Sequence, residues 1–246
     1  MILSFNIEYR TNWGEEVKLA GLSTESTPMY TTDGIYWTAE VELEVPQEGL
    51  TIHYSYQIEQ NGIVIRKEWN NFPRCLFLSG TPRKKYRIND CWKNIPEQLY
   101  LYSSAFTEAL LSHPERVDIP QGYKKGLIIK AYAPRINKDY CLAICGNQKA
   151  LGNWDPEKAV LMSDSNFPEW QVELDASKLK YPLEYKFILC HKQERKIDCW
   201  EKNPNRYLAD PEIKTNETLV ISDRYVYFDI PMWKGAGIAI PVFSLK

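Results

Sequence analysis

Trp37-Thr-Ala-Glu-Val-Glu-Leu-Glu-Val45 alternates apolar and polar residues without a break, the pattern of a β-strand with one face in a core and the other in water. Ile52, Tyr54, Tyr56 and Ile58 alternate with His53, Ser55, Gln57 and Glu59 in the same way, and Trp170, Val172 and Leu174 with Gln171, Glu173 and Asp175. Long amphipathic helical patterns are nearly absent, so the chain reads as all-β.

Working outward from Trp37, the landmarks recur. Val17–Gly21 parallels Leu142–Gly146, Trp37 parallels Trp170, Trp69-Asn-Asn-Phe-Pro-Arg74 parallels Trp200-Glu-Lys-Asn-Pro-Asn-Arg206, and Asp90-Cys-Trp92 parallels Asp223-Arg-Tyr225. The order is kept and the offset stays near ~130 residues, which indicates an internal duplication. Each copy holds enough short strands and turn signals for an antiparallel, immunoglobulin-like sandwich. The expected organisation is a first sandwich over residues 1–93, a linker over 94–125 with a short helix-like patch at 104–111, a second sandwich over 126–230, and a terminal piece over 231–246. That last piece is apolar and too short to span a bilayer.

Composition removes several function classes. Thirty Lys and Arg against 32 Asp and Glu leave a net charge of -2, which supplies no basic field for nucleic acid or anionic lipid. The N-terminus lacks a signal-peptide core. The six cysteines sit beside apolar residues in strand-like segments, so they read as buried thiols rather than a disulfide framework. The expected setting is therefore cytoplasmic. The three histidines form no ligand spacing, and neither a metal nor any other cofactor is expected.

The distinctive signal is aromatic. Trp37 and Trp170 open alternating strands and read as core, and Trp92 and Trp233 as packing. Trp154 instead lies in a turn between Gly152 and Pro156, where a large ring has little access to a sandwich core. If Tyr185 and Phe187 face inward, strand parity turns Lys186 outward; Ile197 and Cys199 likewise leave Trp200 on the outer face. Exposed indoles offer flat π faces to the C–H patches of sugar rings, and nearby amides and charges bond the hydroxyls. The carboxylate pairs Asp164 with Glu169 and Asp198 with Glu201 invite a hydrolase reading, but a loop and edge placement would not drive their pKa values apart.

Leu151-Gly-Asn-Trp154, Glu184-Tyr-Lys-Phe187 and Trp200-Glu-Lys-Asn-Pro-Asn-Arg206, in that order, resemble the starch-binding domains of carbohydrate-binding module family 20. The resemblance implies a main α-glucan site of Trp154, Lys186 and Trp200, with Glu201 and Asn205 bonding hydroxyls. A second site of the family uses two aromatics; in this copy Lys138 stands at the first of those positions and the other falls near Phe167. In the first copy it places Trp13 at the second-site aromatic and Trp69 at a main-site tryptophan. That copy lacks a Leu-Gly-x-Trp turn and has Ser55 at the lysine position, so Tyr30 or Tyr36 would have to supply the missing ring. Gly235-Ala-Gly-Ile-Ala-Ile-Pro-Val-Phe-Ser-Leu245 resembles the opening of the catalytic barrel of family 77 4-α-glucanotransferases, the amylomaltases. The resemblance implies a non-catalytic piece that tethers such an enzyme to its polymer, with starch, glycogen or maltodextrin as partner and the catalytic domain beyond residue 246. The rival from another class is a protein-interaction sandwich that binds no sugar.

Overall fold

The architecture is that of a computed structural model, which describes residues 1–69, 73–80, 85–94, 122–133, 136, 139–194, 196–223, 226 and 228. The expected linker patch at 104–111, position 138, and the terminal piece 231–246 with Trp233 lie outside those residues.

The first half contributes β1 (Ile2–Glu8), β2 (Glu15–Ala20), β3 (Thr27–Pro28), β4 (Tyr36–Glu42), β5 (Leu50–Gln60), β6 (Ile63–Lys67), β7 (Arg74–Leu78) and β8 (Lys85–Cys91). The second contributes β9 (Lys125–Tyr132), β10 (Tyr140–Gly146), β11 (Val160–Leu161), β12 (Ser163–Asn166), β13 (Glu169–Asp175), β14 (Leu183–His191), β15 (Ile197–Trp200), β16 (Arg206–Leu208) and β17 (Glu217–Asp223). The alternation at Trp37 forms a shorter strand than its pattern suggests. β4 pairs with β1 from Glu8 opposite Tyr36 to Ile2 opposite Glu42, and the ladder ends because β1 reaches the start of the chain. Leu43 and Val45 still pack on the core edge.

Each copy sets a sheet built around β5 or β14 against a second sheet. In the first copy that is β3-β2-β5-β6 with β7 on β5, and in the second β11-β10-β14-β15 with β16 on β14. The opposing layers are not separate. They form one seven-stranded sheet of order β12-β13-β9-β17-β8-β1-β4 that runs through both copies. Within it the pairs β1/β8, β8/β17 and β17/β9 are parallel, so an otherwise antiparallel architecture carries a parallel spine.

The junction between copies is the β8/β17 ladder, Lys85 opposite Glu217 through Asn89 opposite Ile221. Leu127, Ile129 and Leu219 face the second core, while Ile128 and Val220 turn the other way into the first. Burial on both faces explains why Leu127-Ile-Ile129 and Leu219-Val-Ile221 do not alternate. Lys130, 1% exposed, follows the parity of Ile128 and donates to the Cys75 carbonyl of the first copy and to Glu169 Oε1 at 2.8 Å. Ser222 Oγ donates to Asp90, and Arg87 Nη2 to the Pro211 carbonyl. Burial alone would push the Glu169 carboxyl up; Lys130, Lys93 and Arg74 outweigh it and hold the group below the ordinary carboxylate range.

Candidate glucan-binding site

The site in the second copy starts at a strained turn. After β10, Leu151 buries its side chain completely. The next three residues, Gly152 (φ 81°), Asn153 (φ 52°) and Trp154 (φ 60°), all lie in the left-handed region. Gly152 is required there, because a Cβ would meet the Lys158 carbonyl carbon and oxygen at 2.9 Å. Asn153 tolerates the conformation well and tryptophan poorly. The turn is held by Asn153 N–H donating to the Gln148 carbonyl at 2.9 Å and Asp155 N–H to the Gly152 carbonyl at 2.9 Å. A bulky residue kept at positive φ is a place where strain serves function, and here it lifts the indole off the core that its neighbour Leu151 enters.

Trp200 arrives from β15, opposite Ile188 on β14. Lys186 lies two residues before Ile188 and therefore on the same face of that strand; Tyr185 and Phe187 are buried between. The two half-exposed indoles meet with ring centroids 6.3 Å apart and planes inclined at 47°. This is an angled platform rather than a stacked pair.

Beneath Trp200 lies a buried ionic cluster. Glu201, 2% exposed, accepts from Phe187 N–H at 2.8 Å and from Arg206 Nε and Nη2 at 3.2 and 2.9 Å. Its own N–H donates to the Phe187 carbonyl at 3.0 Å. Arg206 lies 4.8 Å over the Phe187 ring and 3.4 Å from Asp223, which accepts from Tyr185 Oη at 2.7 Å. Burial raises the Asp223 carboxyl, and Arg206 only partly offsets this. Glu201 is thus not the hydroxyl-bonding group the resemblance implied: both its oxygens are occupied inside the domain, and its work is to fix the backbone that carries Trp200. Asn205 is exposed beside it. Phe167 is half-buried, with its ring edge-on to core Trp170 at 6.3 Å.

The same cluster exists in the first copy, and it corrects one assignment. Glu68 accepts from Tyr56 N–H at 3.1 Å and donates its N–H to the Tyr56 carbonyl at 3.0 Å, while Arg74 bridges Glu68 and Asp90 at 2.7 and 3.0 Å. Glu68 is therefore the counterpart of Glu201, and exposed Lys67, not Trp69, stands where Trp200 does. The first copy has one more residue between its glutamate and arginine, six positions against five, and Trp69 follows its glutamate where Trp200 precedes its own. Trp69 is 8% exposed, and its N–H donates to the Lys93 carbonyl. Trp13 is 100% exposed at the tip of the β1–β2 loop, where Glu15 accepts from Asn12 N–H at 2.8 Å. Tyr30 and Tyr36 are also exposed, at 71% and 59%. The cluster was legible: an acid, an arginine and an aspartate recur in both copies.

Of the other carboxylates that invited a hydrolase reading, Glu169 pairs with Lys130 and Asp164 with Lys192 at 2.7 Å, and Asp198 is exposed. Among the described residues no group of three or more His, Cys, Asp or Glu could hold a metal, and no helix is long and apolar enough to cross a membrane.

A β-sandwich that carries an angled pair of half-exposed indoles on one edge, over a buried scaffold, defines a carbohydrate-binding module. Residues 129–220 match the family described as "Starch binding domain", CBM_20. The whole chain is similar to the 4-alpha-glucanotransferase DPE2 of Oryza sativa subsp. japonica, 23% identical over 270 residues that take in 99% of this chain. The chain spans 28% of the length of that relative. Among solved structures, the family 20 module of a maltotetraose-forming amylase from Pseudomonas saccharophila is similar at 18% identity and TM-score 0.32, covering 40% of this chain and 99% of that one. A Hormoconis resinae glucoamylase is similar at 15% identity and TM-score 0.36, covering 47% and 20%.

Proposed function

We propose that the second copy binds α-1,4-glucan by laying consecutive glucose units across Trp154 and Trp200, with Lys186 and Asn205 bonding the peripheral hydroxyls. The observation that carries this reading is the 47° inclination of two indoles 6.3 Å apart: a helical glucan curves, and an angled platform follows that curve where a flat one would touch a single sugar. Each ring-to-sugar stack contributes on the order of 1 kcal/mol, so both rings are needed. Exposed Trp13 offers a second contact surface on the first copy. Two linked surfaces raise affinity for a polymer by roughly 10² to 10⁴ over one.

In the full-length protein this pair of domains tethers a 4-α-glucanotransferase of the amylomaltase type to its substrate. The similarity to the rice enzyme along the whole chain supports that placement, and a cytoplasmic setting is part of the same proposal. Calorimetric titration with β-cyclodextrin tests the site: Trp154→Ala with Trp200→Ala should abolish binding while the chain still unfolds cooperatively. Intact binding in that variant would leave the protein-interaction sandwich as the better reading.

A further inference from the structure

A cleft opens where the two copies join; neither Trp154 nor Trp200 is among its described lining residues. It encloses about 580 Å³, within the roughly 300–1,000 Å³ typical of small-molecule sites. Tyr9 and Trp92 form one wall, their ring centroids 4.4 Å apart, and the Arg66 guanidinium covers the Tyr9 ring at 5.9 Å. Tyr36, 59% exposed, marks the mouth, and Trp69 and Tyr132, each 8% exposed, lie deeper. Tyr132 belongs to the second copy, so the cleft exists only because the shared sheet fixes the two halves against each other.

Among the described residues the charged lining is balanced: Glu8 and Asp223 are acids, Arg10 and Lys93 bases. A site for an anion or a cation would carry an excess of one sign. Ring faces combined with paired donors and acceptors suit a neutral, hydroxyl-rich ligand with apolar C–H faces, the chemistry of a sugar. Enclosure adds a distinction from the outer platform. An open pair of indoles accepts any stretch of a long chain, whereas a cleft of this volume accepts only a short segment.

We propose that this junction cleft is a separate binding site for a short α-glucan segment or chain end, seated against Tyr9, Trp92 and Tyr36 and held by Glu8 and Arg10. The inference takes its ligand class from the starch-binding reading of the second copy and goes beyond it in placing a site between the copies.

The test uses the 246-residue chain with Trp13, Trp154 and Trp200 all changed to alanine, which silences the outer surfaces. Maltotriose is titrated while tryptophan fluorescence and heat are followed. A single saturable site is expected, weakened at least tenfold by adding Tyr36→Ala and Arg10→Ala, both exposed positions, with the fluorescence response reduced in Trp92→Phe, where Trp69 is still in the lining, while the heat remains. No saturation in the triple variant, or binding indifferent to Tyr36 and Arg10, overturns the proposal. β-Cyclodextrin on the unaltered chain is read alongside. If it binds and the triple variant takes no maltotriose, the cleft alone fails. If the unaltered chain takes neither sugar, the starch-binding reading fails and the cleft falls with it.

Discussion

The two copies keep the same skeleton and differ in what they put on it. Glu68, Arg74 and Asp90 in the first repeat the buried contacts of Glu201, Arg206 and Asp223 in the second, down to a tyrosine hydroxyl on the aspartate and an aromatic ring under the arginine. Outside that cluster the second copy presents Lys186 and Trp200, while the first presents Ser55 and Lys67 at the same positions of the ladder. The ionic cluster is therefore part of the fold, retained where no indole platform needs it. Binding rests on what a handful of outward positions carry.

The comparison can be broken most forcefully at its shared part. Arg74 is enclosed by two carboxylates and 2% exposed, and truncating one partner of a buried ion pair costs about 3–5 kcal/mol. Arg74→Met is expected to lose that much in urea unfolding. Arg206→Met should lose somewhat less, since its side chain is 14% exposed. Only the second variant should also weaken β-cyclodextrin binding, because only there does the cluster hold a tryptophan. Equal effects on binding would show that the first copy contributes to the same site.

The junction gives the next largest effect and a dependence on pH. With its folded-state pKa lowered, Glu169 supplies stability that is fully present above its unfolded value near 4.5 and is lost as pH falls through the folded value. Asp223 has the opposite sign. Its raised pKa contributes below the unfolded value near 3.8, and that contribution is lost as pH rises through the folded one. Glu169→Gln should thus flatten the acid limb of stability against pH, measured by thermal unfolding between about pH 3 and 7, and Asp223→Asn should steepen it.

Effects on ligand are smaller in energy. Single Trp154→Ala or Trp200→Ala substitutions should each weaken β-cyclodextrin binding roughly tenfold, about 1.4 kcal/mol, with melting temperature unchanged in the first and lowered in the second, whose ring also packs against the core. The smallest effect sharpens the comparison from the other side. Ser55→Lys with Lys67→Trp in the first copy should improve starch co-sedimentation by less than tenfold, since one ring returns without the strained turn that presents the other.

The sandwich class was legible because alternation at Trp37, Ile52 and Trp170 reports directly on one-sided burial. So was the core position of Trp37 and Trp170, whose indole N–H groups donate to the Tyr9 and Ala133 carbonyls at 3.2 Å. A turn and strand parity put Trp154 and Trp200 outward in the sequence; in the structure both are half-buried, and Trp200 also packs against the second core. The angle between them was not legible, because it depends on three consecutive left-handed residues that no periodicity encodes. Trp69 was misread for a related reason: matching tryptophans ignored the glutamate that fixes the register. The common sheet left a trace in the unalternating runs of β9 and β17, but such a run looks the same whether its second face meets a neighbour in the same copy or the other one.

That common sheet bears on anyone wishing to borrow the second copy as a compact affinity tag. Severed from its twin, it would present β17 as a raw edge of open amides and carbonyls, strip Ile128 and Val220 of their cover, and leave the Lys130 ammonium without the Cys75 oxygen. Such a tag would invite self-association, and charged replacements at those two apolar positions are the natural remedy.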